Sequence, residues 1–414
     1  MLSNRFIKPK YGSGCFADLP ATIHFLLTGK DKPPCANSLL SGIPNRYKTV
    51  IFFLVDAFGY NFYDKYRNKY SFLRQIEKQG KVIKITSQFP STTACHVTTI
   101  HTGSPVSQSG IYEWQYYDPN FDAVIMPLPY AYAGMRGSAL PTDVDTSLVF
   151  PTRTLYQSLH ADNVNSYLFS HVAIADSVFN RVVSKGARIH KIRTLPEMLV
   201  NLQMLLKTVR SQDQSNYIFL YFSNIDTISH HYGPNSPQLD AEIGSFLSTF
   251  ENFFWRRSAH KLKDTLLMIT ADHGQTSVDP ETTIYLNRDP RFEGIKRFIR
   301  KNRRGELIVP AGSCRDMFLY IKDGLWEEAQ QFLSKRLAGK AKVCKTADLI
   351  DHGYFGPAPP SRALLERVGD LVILPYIYES VWWYEKDKFE QNFYGHHGGL
   401  TRDEMEIPLM LYPF

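Results

Sequence analysis

The sequence predicts an α/β fold, a mostly parallel sheet sandwiched by helices and interrupted by a small α+β cap. Three observations predict it. The runs TVIFFLVD, YIFLYFSNID and TLLMITAD, ending at Asp56, Asp226 and Asp272, are β-branched and aromatic rather than alternating, as strands are when helices cover both faces of a sheet. Amphipathic segments such as NFYDKYRNKYSFLRQIEKQ and LPEMLVNLQMLLKTVRSQ separate such runs, which is the βαβ rhythm of a parallel sheet. From about residue 281 to 366 the rhythm changes. A basic stretch leads to RDMFLYIKDG, the helix-like WEEAQQFLSKRLAG and AKVCKTADLI, after which GDLVILPY is expected to resume the main sheet. The predicted organisation is an α/β core at 1–280 and 367–414, with an α+β cap insertion at 281–366.

Composition supports a folded globular chain. Of 414 residues, 43% are hydrophobic and 21% charged, ample for a core and incompatible with disorder, a collagen-like repeat or a disulfide-stapled miniprotein. Five cysteines, an odd number without a C-x-x-C pair, make neither a disulfide framework nor a thiolate zinc cage and suit a reducing compartment. The N-terminal segment lacks the apolar region of a signal peptide, and the longest apolar run near the start, Val50 to Val55, is far too short to span a bilayer. A soluble cytoplasmic protein with no membrane partner is the expectation.

The chemistry gathers in acids and histidines. In open α/β sheets ligands collect at the carboxyl ends of strands, where Asp56, Asp226 and Asp272 are expected. His230 follows Asp226 by four residues, His273 and Gly274 follow Asp272 at once, and YGHHGGL places His396 and His397 in a glycine-rich loop. Mixed carboxylate and imidazole ligands suit zinc or manganese, and three of each are about enough for two ions that keep open positions for substrate. Between the first two aspartates, FPSTTACHVTTIHTG starts a helix near Thr93. A hydroxyl there meets free backbone N–H groups and the positive end of the helix dipole. A metal ion at the Thr oxygen would turn it into a nucleophile. Ser and Thr are also preferred N-caps, so the cluster taken alone reads first as a cap.

In combination these motifs resemble the alkaline phosphatase superfamily, and within it the type I phosphodiesterases and nucleotide pyrophosphatases. Thr93 stands nine residues before Thr102-Gly103, D-T-I-S-H-H-Y-G-P matches the family's D-x-x-x-H-x-x-G-P, and the motifs run in order from Asp56 to His397 over more than four-fifths of the chain. The resemblance implies an alkaline-phosphatase-like fold and two divalent ions, zinc or alternatively manganese. It implies that Asp226, His230 and His397 hold one ion and that Asp56, Asp272 and His273 hold the other, with the Thr93 oxygen bound to it. It further implies in-line attack by Thr93, a phosphothreonine intermediate and its hydrolysis. The expected activity is hydrolysis of a phosphodiester or pyrophosphate bond in a nucleotide-like small molecule. A phosphomonoesterase or phosphomutase on the same site is the rival enzyme, and a catalytically silent nucleotide- or partner-binding protein the rival of another class.

One departure stands out. Family members follow the helix with His-Gly and, four residues after that Gly, an Asn that steadies a phosphoryl oxygen. Here the pair is Ser109-Gly110 and the fourth residue on is Trp114, preceded by Glu113. Trp114 reads as a stacking wall for a ring or as a core aromatic, and His96 as a substrate contact from the first helical turn or as a structural residue. The net charge, 47 basic against 40 acidic residues or +7, concentrates in one window. Residues 288–304 hold eight basic residues against Asp289 and Glu293, either a solvated face or a patch that steers an anionic substrate. Nucleic acid is not indicated.

Overall fold

A computed structural model describes residues 2–135, 137–141, 143–258, 261–357 and 359–414. The apolar runs form a sheet of seven strands: β1 (Thr49–Val55), β2 (Lys81–Thr86), β3 (Val164–His171), β4 (Arg188–Ile192), β5 (Ser215–Phe222), β6 (Thr265–Thr270) and β7 (Glu406–Pro413). Their spatial order is β2-β7-β6-β1-β5-β3-β4. β1 runs parallel to β5 and β6, and β3 parallel to β5 and β4. Only β7 is reversed, antiparallel to β2 and β6. The mostly parallel α/β architecture is therefore as expected.

All seven residues of β1 are buried. Successive strand side chains point to opposite faces, so both faces of the sheet are covered. The covering helices include α1 (Leu19–Thr28), α2 (Thr93–Thr102), α3 (Leu195–Val209), α4 (Asn224–Tyr232) and α5 (Pro237–Phe250). Phe246 and Phe250 of α5 pack on Phe53 of β1, with ring centroids 5.6 and 5.8 Å apart. Because β1, β5 and β6 are adjacent and parallel, with Val55 opposite Phe222 and Leu54 opposite Thr270, the chain leaves all three at the same sheet edge. That edge carries the site.

Two sequence expectations need correction. The run ending at Asp226 is not strand to its end: β5 stops at Phe222, and Asp226 lies in the first turn of α4. An acid there is favoured by the helix dipole, and the four-residue spacing puts Asp226 and His230 on one helix face. Nor does GDLVILPY resume the main sheet. Leu371–Pro375 is the central strand of a small antiparallel sheet, flanked by Met317–Leu319 and Ala341–Lys345. A second hydrophobic cluster that includes Phe292, Phe298, Leu333 and Ile373 supports this sheet, so the small unit reaches past the expected boundary at 366. The five cysteines are free and buried, and no helix among the described residues is long and apolar enough to cross a membrane.

Candidate metal centre and active site

Asp56 follows β1 directly, Asp272 follows β6 with one residue between, and Asp226 projects from α4 after β5. Among the described residues, two groups bring their ligand atoms within 4.8 Å of one another: Asp56, Asp272 and His273, and Asp226, His273 and His397. His273 thus belongs to both. His230 is in neither, but its Nε2 lies 3.4 Å from Asp226 Oδ2, and its ring is 5.0 Å from that of His397. The rings of His273 and His397 stack at 3.7 Å.

Each histidine is oriented from behind. The Nδ1 atoms of His230, His397 and His273 lie 2.8, 2.9 and 3.1 Å from the carbonyls of Gly395, Ser91 and Gly274. Such contacts place the proton on Nδ1 and leave the Nε2 lone pair free, as metal-ligating imidazoles require. Three carboxylates crowded among them are poorly accommodated without a cation. Burial, then the charges of Asp272 and Asp226, push Asp56 well above the usual carboxylate range. Burial would also raise Asp226, but His230, His397 and His273 hold it below that range. Asp272 is wholly buried, and its Oδ2 has no hydrogen-bond partner. A donor set of this kind, with an orphaned anionic oxygen facing free imidazole nitrogens, fits divalent metal ions.

Thr93 is the first residue of α2, and its Oγ1 lies 3.2 Å from His273 Nε2 and 3.5 Å from both Asp56 oxygens. The N-cap, Thr92, makes no side-chain capping bond, and Ser91 Oγ donates instead to the Gly399 carbonyl at 2.7 Å. The hydroxyl cluster therefore does not cap the helix by a side-chain bond. The loop carrying His397 is held by Gly398, at φ 121°. A Cβ there would lie 2.5 Å from Asp316 Oδ1 and 2.6 Å from Ser313 Oγ, so only glycine fits.

Thr93 opens on two cavities. One, of about 400 Å³, is lined by Thr93, Glu113, Trp114, Asp226, His230 and His397 among others. The other, of about 450 Å³, has Val97, Leu128, Phe169, Phe179 and Phe219 in a wall without Asp, Glu, Lys or Arg. Trp114, 42% exposed, lines both, so its ring is no core aromatic. His96 is the correction here. It is completely buried, with Nδ1 2.7 Å from the Thr92 carbonyl and Nε2 accepting the Gln88 N–H at 2.9 Å. Burial lowers its pKa to about 4. It packs the first turn of α2 from the core side and lines neither cavity.

The basic window is partly neutralised on the surface. Arg291 pairs with Asp289, Arg297 with Glu328 and Arg304 with Glu306, while Arg288 and Arg300 lie over the rings of Tyr384 and Tyr320. The sequence reading missed Tyr221, whose hydroxyl donates to Asp56 Oδ2, and Gln275, whose Nε2 donates to Asp226 Oδ1 at 2.6 Å. Gln275 directly follows Asp272-His273-Gly274 and was findable there; Tyr221 was hidden inside an aromatic strand.

Comparison with known proteins bears on the fold and the family. The rat and mouse ectonucleotide pyrophosphatase/phosphodiesterase family member 7 (Rattus norvegicus, Mus musculus) are each 26% identical to the chain. The matches extend over 156 and 191 residues, 34% and 44% of this chain. The chain spans 33% and 39% of the length of these relatives. Murine family member 5 superposes with a TM-score of 0.61 at 16% identity over 88% of both chains. Its inactive threonine-to-alanine variant in complex with AMP also scores 0.61 at 16% identity, over 88% of this chain and 87% of that one. Phosphonoacetate hydrolase from Sinorhizobium meliloti 1021, in complex with phosphonoacetate, superposes at 0.59 with 18% identity over 88% and 89%. These structural likenesses speak for the fold. The family model for type I phosphodiesterase / nucleotide pyrophosphatase matches residues 50–400, the segment that carries every acid, imidazole and hydroxyl of the site, and the chain belongs to that family of phosphoester hydrolases.

Proposed function

We propose that the protein hydrolyses a phosphodiester or pyrophosphate bond, with Thr93 as the nucleophile. The observation that carries this reading is the Thr93 hydroxyl, uncommitted to capping, set 3.2 Å from His273 and 3.5 Å from Asp56 at the mouth of two cavities. In this reading Asp226, His230 and His397 hold one divalent ion and Asp56, Asp272 and His273 the other, beside the Thr93 oxygen. The identity favoured by the ligands is zinc, with manganese as the alternative. When bound, such ions polarise the phosphoryl group and lower the pKa of a hydroxyl at their edge.

The residues supply the rest. The start of α2 offers N–H groups and a positive dipole to the phosphoryl oxygens. Thr93 Oγ1 forms a bond to phosphorus as the bond to the leaving oxygen breaks in line. Water then cleaves the Oγ1–P bond and restores the hydroxyl. Trp114 stands between the cavities as a wall for a ring, which suits a nucleotide-like substituent. The murine relative whose inactive threonine variant binds AMP supports both the threonine and the substrate class.

The test is a substrate panel with zinc or manganese present: bis-p-nitrophenyl phosphate, p-nitrophenyl phosphate and dinucleotides. Diester or dinucleotide turnover is expected, with Thr93→Ala losing at least about a thousandfold in kcat while metal content stays near two ions per chain. Preference for the monoester would shift the reading to a monoesterase or mutase. Binding without turnover would make the protein a silent binder, and retained hydrolysis in Thr93→Ala would remove the nucleophile assignment.

A further inference from the structure

Glu113 lines the cavity of Thr93, yet the mechanism above gives it no part. Its side chain is 1% exposed. Oε2 accepts the backbone N–H of Trp114, while Oε1 is buried with no partner at hydrogen-bond distance, although the nearby Thr92 side chain, like that N–H, offsets part of the effect of burial. Among the described residues no cation pairs with it. The groups around it are Thr92, which precedes the nucleophile, the Cys95 thiol and the second buried carboxyl of Asp316. The same cavity is also lined by Asp226, His230, His397, Glu390 and Lys388. An ionised, unpaired carboxylate is costly in such a place, and burial raises Glu113 to about 8. Asp316 is raised by burial and then by Glu113 itself, and the Cys95 thiol is raised by burial. A neutral carboxyl carries one O–H donor.

We propose that Glu113 is a substrate-binding residue whose protonated carboxyl donates a hydrogen bond from Oε1 to a non-bridging oxygen of the phosphoryl group bound at Thr93. The proposal rests on the phosphoester reading of the site. Its geometry is an unpartnered oxygen on a residue that lines the cavity where the Oγ1–P bond is formed and broken. An ionised Glu113 would instead set a carboxylate against an anionic substrate, with Asp316 behind it. The donor role removes that repulsion and satisfies the one unpaired atom of the side chain.

The test uses the metal-loaded protein and two readouts, kcat/KM for bis-p-nitrophenyl phosphate and calorimetric affinity for inorganic phosphate. Glu113→Gln keeps a donor of the same reach and is expected to stay within about threefold of wild type in both, whereas Glu113→Ala is expected to lose about a hundredfold in kcat/KM and to bind phosphate more weakly. Wild-type activity should also fall as pH rises past about 8, a limb that Glu113→Gln should lack. Should Glu113→Ala not fold, Glu113→Met, apolar and of similar size, replaces it. Gln falling as far as Ala, or Ala matching wild type, would overturn the proposal. If wild type hydrolyses no phosphoester, the function reading fails, and the phosphate affinities still decide the role of Glu113.

Discussion

Arg315 and Glu404 are as deeply buried as Asp272, but the two regions treat charge in opposite ways. The Arg315 guanidinium donates to both Glu404 oxygens at 3.0 Å, and to the carbonyls of Tyr376 at 2.8 Å and of Glu379. Glu404 in turn accepts the N–H groups of Gly399 and Thr401 at 3.0 and 3.1 Å. Every charge there has its opposite and every lone pair a donor, as a buried ion pair needs. At the strand ends, three aspartates face one another and three imidazoles with an oxygen left over. The first arrangement is complete without a ligand; the second is complete only with one. The two are coupled, since Ser313, two residues before Arg315, donates to the His397 carbonyl at 3.0 Å, and Glu404 anchors the loop that follows it.

This contrast is testable, and the largest effect is expected on the paired side. Arg315→Met leaves the Glu404 carboxylate buried and alone, so urea unfolding should show a loss of about 3–5 kcal/mol, much of it recovered when Glu404→Leu is added. A loss below about 1 kcal/mol would mean that the pair is not desolvated as the structure has it.

On the unpaired side the sign reverses. In metal-free protein Asp56→Asn should stabilise, by about 0.5–2 kcal/mol at neutral pH, while weakening metal binding. Asp56 is raised in the fold by burial and then by Asp272 and Asp226. The native state therefore holds its proton more tightly than the unfolded chain, and stability falls as pH rises from about 4. The advantage of the Asn variant should widen over the same range and vanish on saturation with zinc. An advantage that is the same at pH 4 and pH 8 would exclude charge crowding as its cause.

The smallest effect is expected at the basic window, where charges are mostly exposed and three of the eight are locally ion-paired. Reversing Arg300 and Arg304 to Glu should lower kcat/KM by about two- to fivefold at low salt and by nothing measurable near 0.5 M. A decrease indifferent to salt would refute steering.

The pieces of the site were legible because they are local. Asp56 and Asp272 follow apolar strands, Asp226 and His230 share a helix face by their spacing, and Thr93 stands where a helix had to start. His96 shows the limit. It is within about 60° of Thr93 around α2, so spacing placed it near the substrate, but the segment Ser87–Gln88 packs beneath the helix and draws the ring inward. Depth is not a local property. Likewise Leu371–Pro375 has the composition of a main-sheet strand, and nothing within five residues states which sheet it joins; its partners, Met317–Leu319 and Ala341–Lys345, pair with it across up to 56 residues, as Met317 does with Ile373. Glu113 was visible only as the neighbour of an unexpected tryptophan, and its orphaned oxygen exists only after folding.

The sequence by itself determined the α/β class, the order of the strands along the chain and the residue types that can bind metal and attack phosphorus, since periodicity and spacing act over a few residues. Tertiary structure decided how those residues divide into groups, with His273 shared between two of them, which aromatic lines the cavity and which charges are left unpaired. Burial and pairing depend on contacts between segments hundreds of residues apart, as Ser91 is from His397 and Asp316 from Glu113, and the energy of a charge is set by those contacts rather than by its neighbours in the chain.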